Sequence, residues 1–271
     1  MKTIFTFDLE RGYQPNDILN YRKIIHRLSE TYPWNFEFRQ EVVKNTHEDW
    51  IKLQTRRSLK EIDLYSSKLI IGFELCENTT HIRTTYGLPY LNFMTSKIRF
   101  PGLEDTIMVE SNLDIGPSIT NFCPFIPAKN CYVNPINEYT KFEGKTIALG
   151  QMYGDRSVIF DGKSHSIFDY DFQADIYRPH PHAVLYQPEF HQKQVQLAKE
   201  RGLEVIQEGN IYQILHSCKK VIGISSSTLY EAELMGKQVD FLNEKDYIRN
   251  GKIIFWNQID EKFWEHIRSQ A

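Results

Sequence analysis

Cysteine, glycine and proline are sparse in this sequence, and it has no long apolar run and no excess of either charge. Its four cysteines in 271 residues, Cys76, Cys123, Cys131 and Cys218, form no CxxC pair. That pattern speaks against a disulfide-stapled scaffold or a zinc ribbon. The opening MKTIFTFDLERG turns charged after a few apolar residues, unlike a secretory leader, so a reduced, cytoplasmic protein is expected. No apolar stretch approaches the ~18–20 residues of a membrane-spanning helix, which limits any expected membrane association to a peripheral one. With 14 glycines and 11 prolines, collagen-like and low-complexity classes drop out. Lys and Arg number 32 against 35 Asp and Glu, a net charge of -3. No broad basic surface for nucleic acid follows from that balance, and any anion site has to be local.

What is present is an ordinary globular composition, 41% apolar and 13% aromatic, with 15 Tyr and 17 Phe. A core rich in rings and ring-lined concave surfaces would both read this way. The length favours two modest domains. Short β-branched runs alternate with amphipathic stretches, the pattern of parallel strands joined by crossover helices, so the fold class is α/β. Strands are expected at residues 2–7, 69–73, 90–93 and 106–109, with helices over 17–31 and around 50–65. Between about Asn112 and Phe142 the periodicity fails among Pro117, Pro124, Pro127 and Pro135, as in a connection between domains. Alternation then restarts: strands at 146–149, 175–178, 204–206, 221–224 and 239–241, helices at 189–201, 211–217, 228–235 and 261–268. The expected architecture is two Rossmann-like lobes facing a cleft: an acceptor-side lobe over 1–125, a linker over 126–145 and a donor-binding lobe over 146–257. A C-terminal helix over residues 258–271 is expected, free to cross back between the lobes.

Four segments could carry chemistry. In VIGISSSTLYEAELMGK (221–237) a buried strand runs into Ser225, Ser226, Ser227 and Thr228 and then a helix. Strand ends in open α/β sheets face the ligand crevice, and a helix N-terminus offers unpaired N–H groups to a phosphate. A plain capping box of Thr228 with Glu231 is the alternative. In ADIYRPHPH (174–182) a strand ends in Arg178, Pro179, His180, Pro181 and His182; Arg178 and His180 suit an anion, whereas a proline turn or an HxH metal site with His165 or His191 would use the same residues. IALGQMYGDRSV (147–158) displays Gln151 and Asp155 after a strand, and Asp155 there reads equally as nucleophile, base, ribose binder or turn cap. IIGFELCEN (70–78) ends a buried strand on Glu74, where an acid or base facing a cleft would sit. Asp169-Tyr170-Asp171 has the DxD form of a metal-holding motif, but it precedes a strand and reads as a polar loop or helix cap.

Taken in order, GFEL (72–75), Pro89–Tyr90, Ile98–Phe100, GQMYGDRSV (150–158), YRPHPH (177–182) and the serine-rich helix start at 225–234 resemble the retaining β-Kdo glycosyltransferases of bacterial capsule and O-antigen assembly. More distantly they are similar to bacterial CMP-sialic-acid transferases, with which that family shares a two-lobed GT-B-type fold. The resemblance spans about residues 70–242. It implies a CMP-activated ulosonic acid as donor, CMP-Kdo first, and a glycan or glycolipid acceptor, at the inner face of the membrane, with no metal and no other cofactor. It further implies Asp155 as nucleophile and Glu74 as base. Gln151, Arg178, His180, Pro181, Ser225, Ser226, Ser227, Thr228 and Glu231 are then on the donor side, with Arg99 for the sugar carboxylate. His182 and the short N-terminal lobe depart from the family pattern. The competing readings are an inverting CMP-sialic-acid transferase, with Asp155 structural, and a non-catalytic module that binds nucleotide or glycan.

Overall fold

A computed structural model describes residues 1–7, 15–40, 61–75, 77–98, 103, 105–117 and 142–271. The chain divides into two compact units. Unit 1 comprises Met1–Ser96, Asp105–Thr120 and Asn250–Ala271; unit 2 comprises Lys97–Glu104 and Asn121–Arg249. Both are α/β with parallel strands. The expected connection over 126–145 lies largely outside the described residues.

Unit 1 carries β1 (Thr3–Phe7), β2 (Glu37–Gln40), β3 (Leu69–Phe73), β4 (Tyr90–Thr95), β5 (Thr106–Ser111) and β13 (Lys252–Phe255), in the sheet order β13-β5-β4-β3-β1-β2. The strands β2, β1, β3 and β4 are mutually parallel, while β5 runs antiparallel to both its neighbours. All five residues of β3, LIIGF, are buried, which is why its sequence is continuously apolar instead of alternating. On one face the helix Pro15–Thr31 lays down Ile25 and Leu28, and the helix Glu61–Ser66 and the helix Glu77–Thr85 precede and follow β3. The helix Glu261–Gln270 brings Trp264, fully buried, against Phe5, Tyr32 and Phe93. Its indole N–H finds the Thr31 hydroxyl at 2.8 Å. Arg83, also fully buried, donates to the carbonyls of Leu64, Ser67, Lys68 and Pro89. That fan gathers the amino ends of β3 and β4, and burial pushes the guanidinium down to about 10.

Unit 2 carries β6 (Thr146–Leu149), a β7–β8 hairpin (Ile159–Phe160, Lys163–Ser164), β9 (Ile176–Arg178), β10 (Glu204–Val205), β11 (Lys220–Gly223) and β12 (Gln238–Phe241). Its five-stranded sheet has the order β10-β9-β6-β11-β12, every pair parallel. Counted within the unit this is 3-2-1-4-5, the doubly wound order, and the order reverses between β6 and β11. Side chains of β6 go alternately to two cores, Ile147 and Leu149 to one and Ala148 to the other, so helices can cover both faces. Gly223 is needed for that covering, because a Cβ there would lie 3.1 Å from Leu229 of the helix Ser227–Leu234. Among the described residues no helix is long and apolar enough to cross a membrane.

Candidate active site

In a parallel sheet every connecting helix starts at the carboxyl edge, so the helix starts and their caps collect there. Unit 2 shows four. Asp155 caps the 3₁₀ turn Arg156–Val158 after β6, His180 caps the helix Pro181–Tyr186 after β9, Asn210 caps the helix Ile211–Ser217 after β10, and Ser226 caps the helix Ser227–Leu234 after β11. The first amides of each helix have no carbonyl partner within it, and the positive dipole ends share one edge of the sheet. That edge favours an anion, and its centre is the reversal point between β6 and β11.

The side chains there are held firmly. Gln151, next after Gly150, accepts the Ser225 N–H at 3.1 Å on Oε1 and donates Nε2–H to the Ser157 hydroxyl at 2.7 Å. Ser157 in turn sends both its hydroxyl (2.7 Å) and its backbone N–H (2.9 Å) to Asp155 Oδ1. Gly150 lets β6 approach β9 this closely: a Cβ would lie 2.4 Å from the Tyr177 hydroxyl and 3.1 Å from Pro179 Cα. His180 accepts the His182 N–H on Nδ1 at 3.2 Å. The ring proton therefore sits on Nε2. Pro181 occupies the first helical turn, where a missing N–H costs nothing.

The hydroxyl run divides into two roles. Ser225 is fully buried and its Oγ accepts the Lys245 N–H at 3.1 Å, so it shapes the turn. Ser226 is the cap, accepting the Thr228 N–H at 3.3 Å. The capping box of Thr228 with Glu231 is thereby displaced, since Thr228 already lies inside the helix. Ser227 and Thr228 are half-buried in its first turn. Glu231 is 2% exposed and accepts the Tyr212 hydroxyl at 3.1 Å, joining two helices beneath the edge. Arg178 spreads its two terminal nitrogens onto the carbonyls of Glu208 and Gly209, each at 2.7 Å, and so fixes the loop after β10. Two residues here had no signal in the sequence reading. Gln187 clamps Tyr153 through its N–H and C=O, both at 2.9 Å. Lys245, 8% exposed, lays its ammonium 4.2 Å over the Phe160 ring. Ser157 was visible in GDRSV, but its role shows only in the geometry.

In unit 1, Glu74 follows β3 and is 6% exposed with φ 52, in the left-handed region. The other described non-glycine residue there, Asp161, sits in the two-residue Asp-Gly turn of the β7–β8 hairpin, where that backbone is usual. Glu74 has no such turn. It is held because its N–H bonds to the Phe93 carbonyl at 2.8 Å, the Leu75 N–H bonds to Asn92 Oδ1 at 2.8 Å, and Leu75 folds back over Gly72. A Cβ at Gly72 would meet Leu75 Cδ2 at 2.1 Å. Backbone strain of this kind concentrates at functional sites. Arg99 lies outside the described residues, as do Cys76, Cys123 and Cys131.

Asp169 of the DxD sequence accepts the Ser166 N–H at 2.8 Å in a capping box around the 3₁₀ turn Ile167–Asp169. Among the described residues no group of three or more His, Cys, Asp or Glu is gathered in a way that could hold a metal ion. Burial, reinforced by Glu244, pushes the Tyr230 hydroxyl far up, so it stays a protonated donor to that carboxylate.

The fold and site together define a pair of α/β units, one of them doubly wound with an anion-favouring switch point. No protein-family model matches the chain, and no curated protein matches it by sequence. Among solved structures it is similar to KpsC of Thermosulfurimonas dismutans in two forms. One is a beta Kdo 2,7 transferase, at 13% identity and TM-score 0.45 over 88% of this chain and 77% of that one. The other is a beta Kdo 2,4 transferase, at 13% identity and TM-score 0.44 over 88% and 78%.

Proposed function

We propose that this chain is a glycosyltransferase that moves Kdo or a related ulosonic acid from a CMP-activated donor to a glycan acceptor with retention. The observation that supports it best is the meeting, at the reversal point of the unit 2 sheet, of a helix start carrying Ser226, Ser227 and Thr228 with a bonded chain ending on the Asp155 carboxylate. The donor class comes from the sequence resemblance. A CMP sugar carries one phosphate, which helix amides, hydroxyls and the His180 Nε2–H suit in charge and number.

In this reading Asp155 forms a bond to the anomeric carbon while the bond from that carbon to the phosphate oxygen breaks, its electron pair leaving with CMP. The acceptor hydroxyl oxygen then bonds the same carbon, the ester bond to Asp155 returns its pair to the carboxylate, and Glu74 takes the hydroxyl proton. Two inversions give retention.

Incubating the protein with CMP-Kdo and no acceptor is expected to release CMP and leave a sugar-sized mass adduct on the peptide holding Asp155. Asp155→Asn keeps an oxygen for the two Ser157 donors, so the cap and CMP affinity should persist. Transfer should fall at least several hundredfold, about 4 kcal/mol of lost transition-state stabilisation. One observation favours a second reading: Asp155 caps a turn, as a purely structural aspartate would. An asparagine variant that transfers normally, with product of inverted configuration, would select an inverting CMP-sialic-acid transferase with Glu74 as base.

A further inference from the structure

The bonded chain between β11 and β6 has a direction that can be worked out atom by atom. It starts on the backbone N–H of Ser225, which can only donate. The atom of Gln151 that meets it at 3.1 Å is therefore the amide oxygen, and the amide orientation is fixed. Nε2 is then the atom 2.7 Å from Ser157 Oγ, and an NH₂ group can only donate. With that lone pair occupied, the hydroxyl proton of Ser157 turns to its other neighbour, Asp155 Oδ1, at 2.7 Å. The same oxygen also receives the Ser157 N–H at 2.9 Å. A helix cap requires the N–H bond alone. The hydroxyl bond and the glutamine behind it are additional to what capping needs.

From this we infer that Ser157 is a positioning residue: held by Gln151, it binds Oδ1 and fixes the rotation of the Asp155 carboxylate. The inference rests on the glycosyltransferase reading above and adds to it the device that aims the nucleophile. Hydrogen bonds running head to tail polarise one another, so each link sharpens the next. Gln151 and Ser225 each follow closely on neighbouring parallel strands of one sheet, β6 and β11, which makes the support rigid.

The test measures, on the whole chain, CMP affinity and the rate of adduct formation at saturating CMP-Kdo. Ser157→Ala retains the backbone N–H bond and the turn, so CMP affinity and the unfolding midpoint should stay at the wild-type values. Adduct formation should slow by about 10- to 100-fold, the cost of a loosely aimed reacting group. Ser157→Thr returns the hydroxyl and should recover most of the rate. Gln151→Glu keeps an oxygen for Ser225 but sets an acceptor against Ser157, drawing its proton away from Asp155. It should slow adduct formation as Ser157→Ala does, and the double variant should be no slower than either. A Ser157→Ala protein that forms the adduct at the wild-type rate overturns the inference while leaving the function standing. So does a parallel loss of CMP affinity, rate and stability that threonine fails to recover. Wild-type protein that neither binds CMP nor consumes CMP-Kdo overturns the function and the inference with it.

Discussion

Glu74 combines a left-handed backbone with a buried carboxylate, and two substitutions separate the energetic cost of the first from the chemical use of the second. A left-handed conformation costs an L-residue about 1–2 kcal/mol, and φ 52 places Glu74 there. Glu74→Gly relieves that cost but gives back about 0.4–1 kcal/mol through the extra freedom of the unfolded chain. Measured against Glu74→Ala, which loses the same side chain but keeps the left-handed backbone, the expected balance is a gain of about 0.5–1 kcal/mol, a rise of roughly 1–4 °C in the unfolding midpoint for a body of this size. Glu74→Gln keeps the backbone and nearly the volume, so its midpoint should stay within about 2 °C of wild type. Both variants should lose about 10²–10⁴ in turnover of CMP-Kdo with a glycan acceptor, the usual contribution of a positioned base. Glu74→Gln should still form the acceptor-free adduct, because the proton moves only in the second displacement. Thermal unfolding followed by circular dichroism, alongside product release, reads both quantities. A glycine variant less stable than Glu74→Ala refutes the strain argument, and a glutamine variant with normal turnover refutes the role of base.

Other outcomes follow from the same geometry. His180→Ala should weaken CMP binding at least several-fold while loss of the helix cap costs about 1 kcal/mol; equal affinity by calorimetry would return the segment to a turn. Lys97, whose ammonium bonds to the Ile248 carbonyl and lies 4.7 Å over the Tyr230 ring, is pushed down to about 8 by burial and then by Arg249. Its unfolded value is near 10.5, so between these the unfolded chain holds more protons and stability rises with pH. Urea titrations should show wild type gaining about 3 kcal/mol over Lys97→Met between pH 7 and 11; a flat difference would count against the burial of that charge. Trp264→Ala should cost about 3–5 kcal/mol by emptying its site, with the Thr31 hydroxyl keeping its bond to the Leu28 carbonyl, and a loss below about 1 kcal/mol in urea unfolding would contradict the packing described.

Much of the fold was legible because burial on both faces writes itself as apolar runs. LIIGF, the strand at 146–149 and the helix at 211–217 lie where the sequence reading places them. Short or half-polar strands gave no such trace: β2, EFRQ, and β13, KIIF, depend on neighbours distant in sequence. At the site the ambiguity had a physical origin. Asp, Ser, Asn and His at the carboxyl edge serve as caps and as ligands for the same reason, an accepting or donating atom beside unpaired amides. Asp155, His180 and Ser226 could therefore be located from sequence, yet capping was an open reading for Asp155 alone, and the cap of the serine-rich helix was placed on Thr228 instead of Ser226. Ser157 and Gln151 show the converse. Their spacing in GQMYGDRSV says nothing of the bond between Gln151 and Ser225, 74 residues later in the chain.

Unit 1 closes its sheet with β13 and fills its core with Trp264, both from Asn250–Ala271, after the whole of unit 2 has been made. On the ribosome, unit 2 can therefore reach its native topology while unit 1 still lacks an edge strand and the largest side chain of its core. Until then β5 offers an unpaired ladder of backbone groups to any strand it meets. A released chain ending at Arg249 should leave unit 2 protease-resistant and unit 1 dependent on a holdase, so the unit begun first is the one completed last.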